Sequence, residues 1–188
     1  MLKLLQEFGK HIAIAGFRDV KIIDVETFLK EAKEATGENV EVQFFDARLV
    51  ASWQHLYFAA LNALKAFKNK ENISKNLNVE IALYASKQRQ IRKAMELLGV
   101  KQGIEEIAVT VICEDAEKAK SALDSVSKLT GGRRDDKVLE LTKSKISDIQ
   151  RFFGISEVEI EAVKNGKTVE KALIDLIIEK IALLAIES

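Results

Sequence analysis

The run IAVTVIC at residues 107–113 narrows most sharply what this chain can fold into. It is almost continuously apolar and β-branched, with no alternation that would leave one side for water. Such a run reads as a central β-strand covered on both faces. The rest of the chain must therefore supply two covering layers, and most of its apolar residues do recur with helical spacing. The expected architecture is one α/β (α+β) domain spanning 1–188, a mixed sheet packed with helices and a helical C-terminal end.

Taken in order, residues 11–17 (HIAIAGF) read as a strand, with 20–23 as a hairpin partner. Asp24 is placed to cap a helix whose stripe is Val25, Phe28, Leu29 and Ala32, closed by Gly37. Residues 40–45 are β-rich and read as a strand. Ser52 caps the next helix, whose broad stripe is Trp53, Leu56, Tyr57, Ala60, Leu61, Leu64 and Phe67. Lys65, Lys68 and Lys70 at its end suit the helix dipole. Residues 69–78 are polar and read as a loop. After the central strand, Asp115 caps a helix with the stripe Ala119, Ala122, Leu123 and Val126, stopped by Gly131-Gly132. The run Arg133-Arg134-Asp135-Asp136 is a turn whose charges cancel, 137–141 a short strand, and 144–153 a short helix. Ser156 with Glu159 has capping-box spacing. Thr168 opens a last helix to about residue 186, apolar on more sides than one core-facing stripe needs. From spacing alone it is either a central helix or a helix with a partner.

Residues 78–99 (NVEIALYASKQRQIRKAMELLG) form the most informative surface stretch. Asn78 is expected to cap a helix through Tyr84, with a kink near Ser86. Ile91, Ala94, Met95 and Leu98 then make a helical stripe, with Arg89, Arg92 and Lys93 opposite it and Gly99 at the stop. Between Tyr84 and Met95 there are four cations (Lys87, Arg89, Arg92, Lys93) and no acid. The whole chain carries 29 Lys and Arg against 29 Asp and Glu, so bulk attraction to nucleic acid is absent and any such binding must be local. A solvated helix face accounts for such charges in many proteins. Elsewhere in this chain, as in 28–35 (FLKEAKEA), solvated faces mix signs. The unmixed run has the character of a surface for anions such as RNA phosphates.

Other chemistries find little footing. One cysteine excludes an internal disulfide and points to a reducing compartment. One Cys and two distant His give no metal-ligand spacing, and neither phosphate-binding glycine motif is present, so no metal or cofactor is expected. No run of about 18 uncharged apolar residues is long enough for a membrane span, and the first residues do not form a secretory signal. Cys113 ends a buried strand, where a thiol is ordinarily inert. His55 sits among Trp53 and Tyr57, where a histidine is more often structural than catalytic.

Four segments resemble the small regulatory subunit of the KEOPS complex, the TPRKB family. They are EIALYASKQRQI (80–91) followed by Ala94 and Gly99; QFFDARLVASWQHLYFAALNAL (43–64), with an Asp-Ala step and a helix-opening His; the strand 108–113 followed by Glu114-Asp115; and the final helix ending in EKIALL. The resemblance runs from about residue 11 to residue 186, with insertions before 43 and at 156–167 relative to compact archaeal members. It implies a cytoplasmic, non-catalytic subunit of the machinery that makes N6-threonylcarbamoyladenosine at tRNA position 37. It implies docking to the complex's small RIO-like kinase through Ile178, Ile181 and Leu184 of the last helix. It also implies engagement of the tRNA 3′ CCA end by Lys87, Arg89, Gln90, Arg92 and Lys93, with His55 a lesser contact. Two other classes stay open from the residues alone: a scaffold that binds only protein, and a small-molecule enzyme using Cys113 or His55.

Overall fold

The computed structural model describes residues 1–186 and groups the chain into two compact units. One comprises Met1–Ala47 and Gly99–Leu139. The other comprises Arg48–Leu98 and the chain from Glu140 on.

The first unit is built on a sheet of β1 (Leu2–Leu5), β2 (Lys10–Arg18), β3 (Glu41–Asp46), β4 (Glu106–Cys113) and the two-residue β5 (Arg133–Arg134). The strand order is β1-β2-β4-β3, with β5 pairing the end of β2. As its composition dictates, β4 is a central strand, and seven of its eight residues are buried. The expected mixed sheet is instead antiparallel at every pairing. The cause is topological. The crossover from β2 through α1 (Val25–Thr36) to β3 leaves a gap one strand wide, and β4 fills it running the other way.

Helices α1 and α5 (Ala116–Thr130) cover one face of this sheet. Ala13, Ala15, Phe17, Phe44, Val109, Val111 and Cys113 from the strands share a cluster there with Phe28 and Ala32 of α1 and Ala119, Ala122, Leu123 and Val126 of α5. The Phe28 and Phe44 rings meet edge to face at 4.8 Å. Both helices start at the expected caps. The Asp24 carboxylate accepts from Thr27 N–H at 2.7 Å, and that of Asp115 from Glu117 N–H and Lys118 N–H at 2.7 and 3.0 Å.

Three local expectations fail. The hairpin partner of β2 is β1, not 20–23. That segment stays irregular, tied by single bonds such as Val20 N–H to Glu105 O, because it lacks a neighbouring strand to pair with along its length. Residues 137–141 form no strand, since Asp136–Leu139 is a turn of 3-10 helix that buries Val138 and Leu139. Leu29 does not join the core stripe of α1, and only Phe28 and Ala32 of that helix are buried.

The second unit is helical: α2 (Trp53–Asn69), α3 (Leu77–Ser86), α4 (Ile91–Leu98), α6 (Lys143–Phe153), α7 (Glu157–Lys164) and α8 (Val169–Leu183). Its central element is α3, in which Ile81, Ala82, Leu83, Tyr84, Ala85 and Ser86 are all buried. The N-cap position is Asn76 rather than Asn78. The earlier start is fixed from within the helix: the buried Glu80 carboxylate reaches back and accepts from Ile73 N–H and Ser74 N–H at 3.0 and 2.7 Å. A buried carboxylate is tolerable only when it is bonded in this way. Ser156 and Glu159 form the expected capping box. Bonds from Ser156, with Lys180 3.2 Å away, push the Glu159 carboxyl down to about 2. Helix α8 packs against α2, α3, α6 and α7, which accounts for its wide apolar girth.

Gly16 of β2 is closely packed against the Asp136–Leu139 turn. A Cβ there would collide with the Val138 side chain and stand 2.7 Å from the Asp135 carbonyl. Gly16→Ala is therefore expected to destabilise the protein by roughly 1–3 kcal/mol through overpacking, read as a lowered urea midpoint. An unchanged midpoint would show that the Asp136–Leu139 turn gives way freely.

Candidate functional site

The cationic stretch is not one kinked helix. Helix α3 ends at Ser86, whose hydroxyl donates back to Ala82 O at 2.7 Å. Lys87 then adopts the left-handed conformation at φ 51°, and Lys87 N–H and Gln88 N–H close on Tyr84 O and Leu83 O at 3.0 Å each. A left-handed non-glycine residue costs about 1–2 kcal/mol, here offset by capping the orphan carbonyls of α3. The chain restarts at Ile91. Lys87, Arg89 and Gln90 consequently lie on an exposed turn rather than along a helix face, while Arg92 and Lys93 open α4. Ala94 and Leu98 are buried as expected of the α4 stripe, but Ile91 is 44% exposed.

Two of these cations have partners within the chain. Arg89 Nη1 donates to Leu184 O at 3.4 Å, putting a guanidinium at the C-terminal end of α8, where the helix dipole favours it. Arg92 Nε donates to Glu96 Oε1 at 2.7 Å across one turn of α4. Both of those side chains are well exposed, so water screens the pair and it adds little to stability. Gln90 and Lys93 are exposed, and Lys87 is half-buried.

His55 is not part of this surface. It is fully buried, and both ring nitrogens are bonded to backbone. Nε2 donates to Ala85 O at 2.8 Å, which requires Nδ1 to be the acceptor in the neutral ring, and Ala51 N–H lies 3.4 Å from it. The Phe153 ring packs edge-on at 5.4 Å. Burial pushes the imidazole down to about 4, against the Ala85 carbonyl, which raises it. A buried neutral imidazole cannot meet an RNA phosphate. Its effect is to join the first turn of α2 to the last turn of α3, immediately before Lys87.

The same turn of α2 carries a residue that spacing assigned to the core. Trp53 is 41% exposed. Its ring stands edge to face with Tyr57 at 6.1 Å, and Tyr57 with Phe58 at 5.4 Å. Its position as the first residue of the helix explains the miss, because the preceding turn that would cover it is absent.

On α8, Ile181 and Leu184 are 0% and 2% exposed. Both continue the buried row of Leu173 and Ile177, so neither offers a surface to a partner. Ile178 is half-buried, and Ala182, Leu183 and Ile186 are exposed, Leu183 by 40% and Ile186 by 77%. The apolar surface is thus displaced about one position around the helix from the expected one. Cys113 is buried, and its Sγ donates to Asp115 O at 3.0 Å. Among the described residues no group of three His, Cys, Asp or Glu is placed to hold a metal ion, and no helix is long and apolar enough to cross a membrane.

The family of kinase-binding proteins CGI-121 matches residues 17–185, and the chain belongs to it. It is similar to the regulatory protein Cgi121 of Methanocaldococcus jannaschii, with 34% identity over 148 residues, 79% of this chain and 86% of the relative. This is the family that the segments at 43–64 and 80–91 resemble.

The buried imidazole gives a signed pH dependence. Between pH 6.5 and about 4 the unfolded chain protonates His55 and the folded one does not, so stability is full above pH 6.5 and falls as pH drops towards 4. The expected loss is about 3 kcal/mol. Urea midpoints measured across this range for the wild type and His55→Gln check it: the variant is less stable at pH 7 and lacks this increment of pH dependence. Parallel pH profiles would contradict the assignment.

Proposed function

We propose that this chain is the small regulatory subunit of a KEOPS complex, the machinery that makes N6-threonylcarbamoyladenosine at position 37 of tRNA. In this reading it performs no chemistry. It docks the complex's small RIO-like kinase and helps bring tRNA to it through the 3′ CCA end. The observation that carries the RNA half is the gathering of Lys87, Arg89, Gln90, Arg92 and Lys93 along one turn and helix start, in a chain of zero net charge. Guanidiniums grip phosphate in bidentate fashion, and a local cationic patch is what a neutral protein needs for it. The kinase half rests on family membership and on the apolar surface at the end of α8, formed by Ile178, Ala182 and Leu183 with Ile186 in the turn beyond it.

A second reading, a scaffold that binds only protein, is favoured by the Arg89 bond to Leu184 O and the Arg92–Glu96 pair, which give two of the cations roles within the fold. The enzyme reading has little support, since Cys113 and His55 are both buried and bonded to backbone.

Titration against intact tRNA and the same tRNA lacking its 3′ CCA, at fixed moderate salt, separates the two. Tighter binding to intact tRNA is expected. In Arg92→Glu with Lys93→Glu the slope of log affinity against log salt should fall by roughly one for each phosphate that is no longer neutralised, while kinase binding persists. Leu183→Arg should do the reverse. Binding to neither RNA would leave the scaffold reading.

A further inference from the structure

We propose that Arg89 couples the two candidate surfaces, so that an anion held by the basic turn and a partner seated on the end of α8 weaken each other's binding; the proposal rests on both halves of the reading above and adds the regulation between them. One guanidinium stands at the boundary. Arg89 is exposed, and its Nη1 donates to Leu184 O at 3.4 Å. Drawn outward to a phosphate, the same group leaves that carbonyl.

The end of α8 is built to feel that loss. No glycine follows the helix, and Leu184 keeps right-handed dihedrals. The chain tightens instead into short-range bonds. Leu184 N–H reaches Ile181 O and Ala185 N–H reaches Ala182 O at 3.3 Å each, and Ile186 N–H reaches Leu183 O at 3.0 Å. Bonds of this spacing have poorer geometry than those of an α-helix. Helix ends also leave their last carbonyls short of donors. Arg89 supplies one to Leu184 O from outside the helix, and sets a positive charge at the negative end of the helix dipole.

This turn carries the apolar surface. Leu184 is buried, while Leu183 and Ile186 on either side of it are exposed. A partner that packs on Leu183 and Ile186 needs the turn formed, and the formed turn favours Arg89 in its inward position. Two arrangements of one side chain therefore compete. Arg92 bonds Glu96 within α4 instead, so the basic stretch keeps cations for an anion in either arrangement. Linkage makes the effect reciprocal: the factor that the anion takes from partner affinity, the partner takes from anion affinity. A single charge at an exposed helix end sets that factor at about two- to fivefold.

Hydrogen exchange in the full chain alone reads the structural step. The amides of Leu184, Ala185 and Ile186 should exchange faster in Arg89→Gln than in the wild type. They should keep the wild-type rate in Arg92→Gln, which also removes a cation of the basic stretch. Affinity for the purified kinase, measured with and without saturating tRNA, reads the coupling. Direct contacts between kinase and tRNA persist in the variant, so the difference between the two chains isolates Arg89. Weakening by tRNA should be about two- to fivefold greater in the wild type than in Arg89→Gln, and saturating kinase should weaken tRNA binding by the same factor. An equal effect of tRNA in both chains, or unchanged exchange in Arg89→Gln, would overturn the coupling while leaving both binding readings in place. A wild-type chain that binds no tRNA, or no kinase, would overturn the coupling together with that half of the reading.

Discussion

His55 bonds backbone on two sides, and the candidate site depends on both bonds. A buried imidazole with an unpaired nitrogen would cost about 1–3 kcal/mol. Here Nε2 satisfies Ala85 O, a carbonyl in the last turn of α3 that has no helical donor of its own, and Nδ1 lies 3.4 Å from the N–H of Ala51, just ahead of α2. Helix ends leave four such orphans each. Where two ends meet in a buried place, one side chain with a donor and an acceptor can serve both. Serine or lysine offers no rigid ring that does this without carrying charge. The residue that looks most like chemistry in the sequence is therefore the joint of the site and no part of its surface.

Just past that joint, Lys87 turns the chain in the left-handed region. Helix stops are ordinarily legible as glycine, and Gly37 and Gly131 are readable on that basis at the ends of α1 and α5. Lys87 gives no such sign, and the apolar spacing on either side of it continues as though one helix ran through. The break changes what the cations present. On a continuous helix Arg89 would share a face with Arg92 and Lys93. From the turn its guanidinium reaches the end of α8 instead.

The same distinction governs the rest of the fold. Features written in a few adjacent residues were legible: the caps at Asp24, Ser52, Asp115 and Ser156, the stripe of α5, and the both-faces burial of 107–113. Features decided by distant partners were not. The short run LKLL of β1 becomes a strand only because β2 offers it an edge, and the antiparallel sense of the sheet follows from β4 entering between β2 and β3. On α8, apolar residues nearly all round hide the phase of the buried row. Which of Ile178, Ile181 and Leu184 faces outward is settled by four packing helices, not by hydrophobicity.

The two candidate surfaces consequently meet in one residue. Arg89 belongs to the cationic corner by sequence and to α8 by its bond to Leu184 O, next to the exposed Leu183. An anion that draws the guanidinium away removes a favourable charge from the C-terminal end of that helix, an effect of about 0.3–1 kcal/mol at an exposed site. Substitution of Arg89 thus acts on both surfaces at once. Arg92 and Lys93 lie on α4, where Arg92 pairs with Glu96 one turn away, so changes there leave the end of α8 intact. That difference, and not the strength of any one contact, makes the α4 pair the cleaner probe of the cationic corner.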